Sequence, residues 1–131
     1  MLITNKGIIP QTSTVDFVGL IEGGLFIAFD AKETANKTSF PLANIKDHQV
    51  EYLKVVKKLG GLSFFMVQFT SLHEQVFICP LDLITSYTDN VNNGGRKSIP
   101  YQIFVDTAKL IPVADYITFL TNNENQEWLK T

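Results

Sequence analysis

Cysteine is nearly absent from this chain. Cys79 stands alone, so no internal disulfide can form, which fits a reducing cytoplasm. Its place at the end of an apolar run predicts a buried small hydrophobe. Histidine is nearly as scarce, and neither His48 nor His73 stands at metal-ligand spacing from Cys79, which argues against a zinc site. No G-x-S-x-G or phosphate-loop pattern occurs; Gly23-Gly24 reads as a hairpin turn and Gly60-Gly61 as a helix stop. No apolar run approaches the roughly 18 residues that a membrane helix needs. The segment after Met1 also lacks the long apolar stretch and small-residue cleavage site of a secretory signal. The expectation is a soluble cytoplasmic protein without membrane attachment, in which the glycosylation match at Asn36-Lys37-Thr38 carries no meaning.

An overall excess of positive charge is missing too. Eleven Lys and Arg against 13 Asp and Glu leave a formal charge of −2, whereas binding to a phosphate backbone normally needs a basic footprint. The charge is unevenly spread, however. Between Lys32 and Lys58, six lysines stand against Glu33, Asp47 and Glu51, a local +3, while Asp115, Glu124 and Glu127 gather in the final stretch. Lys54, Lys57 and Lys58 read equally well as the solvated face of a helix.

What is present is enough for one core. A chain of 131 residues that is 45% hydrophobic can bury a core of ordinary size as a single domain, residues 1–131. Residues 15–21 and 25–31 read as two strands, with Glu22-Gly23-Gly24 as a three-residue hairpin loop. Residues 34–41 are a polar loop ending at a proline. Asn44 is a good N-cap for a helix reaching about Leu59, with Ile45, Gln49, Tyr52, Leu53 and Val56 on one face. Residues 62–69 and 75–79 are almost wholly apolar, as central strands covered on both faces would be. Pro80 opens a helix to about Tyr87, residues 89–95 form a flexible turn, and a short helix near Tyr101 and a longer one after Pro112 complete a mixed α/β pattern. Phe64, Phe65, Phe69 and Phe77 belong to its core.

The first hairpin carries the chemistry. With Ile21 facing Leu25, Asp16 faces Asp30, and directly opposed residues put their Cβ atoms roughly 4.5–5.5 Å apart. The two-residue period of a strand sets Lys32 on the face of Asp30. Two carboxylates that close repel unless neutralised, and a divalent cation such as Mg²⁺, which takes one or two carboxylates and keeps its waters, is a natural occupant. Lys32 could then orient or deprotonate an attacking water, or stabilise charge on a phosphate. An acid followed by D-x-K is the arrangement of metal-dependent nucleases, but the spacing is degenerate. Two solvated strand ends with a surface ion pair would look the same.

The wider pattern is more specific. Ser13-Thr14-Val15-Asp16-Phe17 and Gly19, then Asp30-Ala31-Lys32-Glu33-Thr34, Asn36-Lys37-Thr38-Ser39-Phe40-Pro41-Leu42, Asn44-Ile45 and His48-Gln49, with Gly95-Arg96-Lys97-Ser98-Ile99 and Asp115-Tyr116-Ile117 further on, together resemble the RecU family of Holliday junction resolvases. The resemblance implies a restriction-endonuclease-like α/β fold with a central mixed sheet flanked by helices. It also implies a homodimer, Mg²⁺ or Mn²⁺ dependence, and cleavage of four-way DNA junctions, in the company of recombination proteins. Asp16 and Asp30, with the backbone carbonyl of Ala31, would hold the metal, and Lys32 would be catalytic. Thr14, Glu33 and Gln49 would support the site with hydrogen bonds, and Lys37, Arg96 and Lys97 would hold DNA phosphates. Family members usually carry more chain before the position where this one begins, so residues 1–12 read as the remnant of a projecting stalk or strand. A domain that binds junctions or a recombinase without cutting is the competing expectation.

Overall fold

Strand alternation around three apolar runs decides the architecture. The computed structural model describes the backbone of residues 2–4 and 7–9, and residues 15–131 in full. Leu2–Thr4 (β1) and Gly7–Ile9 (β2) pair as an antiparallel ladder; the side chains of residues 1–12, expected as a stalk remnant, lie outside the described residues. A five-stranded mixed sheet then forms from β3 (Phe17–Ile21), β4 (Leu25–Thr34), β6 (Leu62–Phe69), β7 (Val76–Pro80) and β9 (Lys109–Ile111), in that spatial order. β4 runs parallel to β6, and every other pairing is antiparallel. Ser39–Pro41 (β5) and Ser98–Pro100 (β8) make a separate small ladder.

Each central strand feeds two cores. On one face Ala28, Phe65, Val67, Phe69, Phe77 and Cys79 pack under three helices, α1 (Asp47–Lys58), α2 (Leu81–Val91) and α3 (Tyr101–Thr107). On the other, Ile27, Phe29, Leu62, Phe64, Met66 and Ile78 pack under α4 (Tyr116–Leu120) and α5 (Asn123–Leu129). Burial on both faces is why these strands read as continuous apolar runs. All four core phenylalanines named from the sequence are buried; at roughly 1.5–3 kcal/mol for each large apolar side chain, they are among the main contributors to stability. Cys79 is buried as expected, and burial pushes its thiol well above the ordinary value. Among the described residues, no helix is long and apolar enough to cross a membrane.

The hairpin register is the one the loop length predicts: Ile21 pairs with Leu25, and Gly23 and Gly24 take φ of 93° and 82°. Several boundaries differ. β4 continues to Thr34 because its ladder with β6 runs on to Thr34 opposite Phe69, and backbone pairing there is indifferent to the polar side chains. α1 begins at Asp47, not after Asn44. Leu42–Asn44 forms a 3-10 turn instead, and Gln49 Oε1 accepts the Lys46 N–H at 3.1 Å, closing the first turn of α1. α2 outruns its predicted end at Tyr87 because Asp89 pairs with Lys54 of α1 at 3.4 Å and the Asn90 amide donates to Ser86 O at 2.7 Å. The single helix expected after Pro112 is broken at Asn122, whose side chain caps α5 by accepting the Asn125 N–H at 3.1 Å.

Gly60 ends α1 at φ 95°, and Gly61 then passes tightly beneath the helix. A Cβ on Gly61 would lie 2.8 Å from Val56 Cγ1 and 3.0 Å from Phe26 O. Because the backbone oxygen cannot yield cheaply, Gly61→Ala should destabilise the fold by about 1–3 kcal/mol, the usual range for overpacking. Urea unfolding with an unchanged slope and a lower midpoint would show this; an unchanged midpoint would contradict it.

Candidate active site

Asp30 belongs to the strand face that elsewhere carries Ala28 and Thr34, and its side chain is fully buried. A buried carboxylate needs partners, and this one has two. The Asp16 N–H donates to Oδ1 at 2.9 Å, and the Lys32 ammonium lies 2.9 Å from Oδ2. The β3–β4 ladder ends at Phe17 opposite Phe29. Asp16 therefore follows the predicted register but sits on a bend, and it reaches Asp30 through its backbone rather than as a flat cross-strand pair. Val15, 4% exposed, anchors the approach. Lys32 is itself only 16% exposed, which separates this contact from a solvated surface ion pair. Removing one member of such a pair typically costs ~3–5 kcal/mol, because a buried charge is left uncompensated.

Asp30 Oδ2 touches the ammonium but takes no well-directed hydrogen bond, so it has capacity for a further cation. Partial desolvation comes first in pushing the Asp16 carboxyl above its ordinary 3.8, followed by the charge of Asp30 and a hydrogen bond shared with it. A backbone hydrogen bond at Ala31 and the Lys32 charge pull the other way. Asp16 is an exposed residue, so solvent screens the repulsion and tempers the rise. Two carboxylates against one ammonium leave the cluster with net negative charge, which a divalent cation would offset. Among the described residues no group of three or more His, Cys, Asp or Glu is placed to hold a metal. Two carboxylates with waters nevertheless suit Mg²⁺, which rarely occupies an all-protein cage.

The remaining candidates are placed variously. Thr14 lies outside the described residues. By strand alternation Glu33 leaves the opposite face of β4 from Asp30, and it lines a cleft of about 230 Å³ that Lys32 also borders, with Ala31, Met66, Gln68, Val76 and Val113. Gln49 is half-buried and bonded to neighbouring backbone, as described for α1. Lys37, Arg96 and Lys97 are exposed, and the β5–β8 ladder joins the two segments that carry them. α1 ends beside Phe26 and so begins at the end of the sheet where β4 finishes. Leu42 N–H donates to Lys97 O at 2.9 Å, and Tyr101 N–H to Thr38 O at 2.9 Å. Lys37 precedes β5 and Lys97 lies opposite Leu42 just past its end, so the two stand at opposite ends of the β5–β8 ladder, roughly 15 Å apart along extended chain.

One set of residues escaped the sequence reading. Thr70 donates twice to Thr34 O, from its N–H at 2.9 Å and its hydroxyl at 3.1 Å, and Ser71 Oγ donates to Ala35 O at 2.8 Å. These bonds fasten the chain leaving Lys32 to the turn after β6. Nothing local in Thr70-Ser71 signals this, because the contact exists only once β4 and β6 lie parallel in register.

Comparison with known proteins points to one family. The family model described as Recombination protein U matches residues 3–122. Proteins named Holliday junction resolvase RecU are similar to the chain. The one from Oenococcus oeni is 42% identical over 115 residues, covering 84% of this chain and 57% of its own length. Relatives from Oceanobacillus iheyensis and Bacillus cereus are 36% and 37% identical, over 84% and 90% of this chain and 55% and 60% of their own. The chain spans a little over half the length of these curated relatives, and it belongs to the Recombination protein U family.

The raised Asp16 carboxyl can be read directly. A carboxyl whose value is higher folded than unfolded makes the native state hold more protons between the two values. Stability then falls as pH rises from 3.8 through the folded value. Asp16→Asn should flatten that part of the stability profile. By carboxyl NMR, Asp16 should titrate above 3.8, move down in Asp30→Asn and move up in Lys32→Met. An Asp16 titration indifferent to both substitutions would mean the three groups are not coupled.

Proposed function

We propose that this member of the Recombination protein U family is the catalytic region of a divalent-metal-dependent endonuclease that cuts four-way DNA junctions. The observation that carries the reading is the buried Asp30 carboxylate, held between the Asp16 N–H and the Lys32 ammonium, in a chain similar to proteins named Holliday junction resolvase. The central mixed sheet of five strands flanked by helices is consistent with a nuclease-like fold.

In this reading Asp16 and Asp30, with the Ala31 carbonyl, would hold Mg²⁺ or Mn²⁺. When bound, the ion would lower the pKa of a coordinated water and draw charge from the phosphate. The chain's own groups do the rest. Asp30 keeps one orientation because the Asp16 N–H fixes Oδ1. Lys32 is near enough to hydrogen-bond the attacking water or a non-bridging phosphate oxygen, where charge develops as water adds to phosphorus and the P–O bond to the leaving strand breaks. Lys37, Arg96 and Lys97 contact phosphates and position the DNA without reading its bases. Gln49, which closes the first turn of its own helix, and Glu33, which borders a cleft with Lys32, would support the site from outside the three central residues. A homodimer would bring two such sites under twofold symmetry, matching the symmetry of a four-way junction. Action in the cytoplasm alongside recombination proteins completes the proposal.

The test is a labelled four-way junction incubated with the purified protein, in Mg²⁺, in Mn²⁺ and in EDTA. Nicking in either metal should vanish with EDTA and fall by about 10²–10³-fold or more in Asp30→Asn and Lys32→Ala, the scale expected when an electrostatic catalytic group is removed. Junction binding without cleavage in either metal would overturn the catalytic assignment in favour of a non-cutting junction-binding domain. Absence of both would overturn the nucleic-acid reading.

A further inference from the structure

The turn carrying Arg96, expected to be flexible, is instead fastened to the end of α2. Asn93 N–H donates to Asn90 O at 3.1 Å, Gly94 N–H to Val91 O at 3.3 Å, and Gly95 N–H to Asn90 O at 2.8 Å. Gly94 takes φ 82°, which side-chain-bearing residues rarely adopt. A Cβ on Gly95 would lie 2.5 Å from Asn90 O, so only glycine lets the backbone pass this close to the helix. Both glycines are thus explained by a built turn, and the turn closes one wall of a cleft of about 390 Å³ lined by Ser86, Tyr87, Asn90, Asn93 and Arg96 with the two glycines.

The lining is chemically mixed in a particular way. Tyr87 supplies an aromatic side chain whose inner part packs on the core, giving it a fixed position. The Asn90 amide is committed to Ser86 O, whereas the Asn93 side chain and the Arg96 guanidinium stand exposed at the rim. An aromatic surface, an amide and a guanidinium within one small cleft match the face of a base, its edge and a phosphate. Aromatic rings stack bases regardless of sequence, amides pair with base edges, and guanidinium takes phosphate. α2 packs over β6 and β7, one and two strands from β4, a lateral distance of roughly 5–10 Å. Its last turn lies beside the first turn of α1, at the end of the sheet where β4 finishes. A strand held at Asp30 could therefore deliver a neighbouring nucleotide here.

We propose that this cleft receives one unpaired nucleotide of the bound DNA, with its base against Tyr87 and its phosphate on Arg96. The proposal rests on the nucleic-acid reading above and adds to it a preference that backbone contacts cannot supply. Fully paired duplex has no free base to offer. DNA with an unpaired nucleotide does.

The test compares binding of the intact chain to a paired duplex and to the same duplex carrying one unpaired nucleotide, with Mg²⁺ replaced by Ca²⁺ to hold off cleavage. Wild type should prefer the unpaired probe by about tenfold. Ser86→Leu, an exposed position that narrows the cleft without touching the core, should erase that preference while leaving paired-duplex affinity within about twofold. Asn93→Leu should act the same way, so that misfolding of one variant does not decide the matter. Arg96→Gln should weaken both probes. Equal binding of both probes by wild type, or a preference that survives Ser86→Leu and Asn93→Leu, would overturn the cleft assignment with DNA binding intact. No binding of either probe by wild type would overturn the underlying nucleic-acid reading as well.

Discussion

The structure turns on a carboxylate buried in the second strand of its sheet. Asp30 occupies a position that the alternation of β4 assigns to the core, between Ala28 and Thr34. A charge there is costly unless paired, and the pairing dictates its surroundings. The chain before β3 must bend so that the Asp16 N–H meets Oδ1, and Lys32 must lie back along the strand onto Oδ2. β4 must also run parallel to β6 far enough for Thr70 and Ser71 to fasten its exit. A hydrophobic residue at position 30 would satisfy packing more cheaply, since buried ion pairs are often no more stabilising than apolar replacements of similar size. The arrangement makes better sense as a site held ready than as a contributor to stability.

The centre of this arrangement was legible in the sequence because it depends on local rules. A three-residue loop set the register of β3 and β4, and strand periodicity put Asp30 and Lys32 on one face. Both rules act within twenty residues and survive in the folded chain. They did not foresee how Asp16 makes its contact. The register places it opposite Asp30, but whether the chain continues as a strand or bends depends on what precedes it and on the buried Val15. Gly23 and Gly24 in the hairpin loop and Gly60 at the end of α1 were read correctly for the same local reason: each takes a positive φ.

The misreadings share a cause, which is competition from distant partners. Asn44 is a better N-cap by propensity than Lys46, yet Leu42 is drawn to Lys97 O, and the helix cannot start until the chain has turned away from that bond. Ser39–Pro41 read as loop because three residues with a proline give no periodic signal; it becomes a strand only against Ser98–Pro100. Lys109–Ile111 is likewise a strand only because β7 offers it an edge. Its lysine lies 4.5 Å from the Trp128 ring centroid and 3.1 Å from Asn125 Oδ1, which ties α5 to the sheet.

Net charge was the weakest guide, and the fold explains why. A formal −2 averages over faces that never see one another. Lys54 and Lys57 pair with Asp89 and Asp82 between the first two helices, so two of the helix lysines that swell the basic count of the first half have their charge offset. The exposed Lys37, Arg96 and Lys97 instead come from two segments some sixty residues apart, united by the β5–β8 ladder. The small ladder that the sequence concealed is therefore what joins the two segments that carry these basic groups. What matters to a phosphate is which lysines and arginines remain unpaired and where the topology brings them.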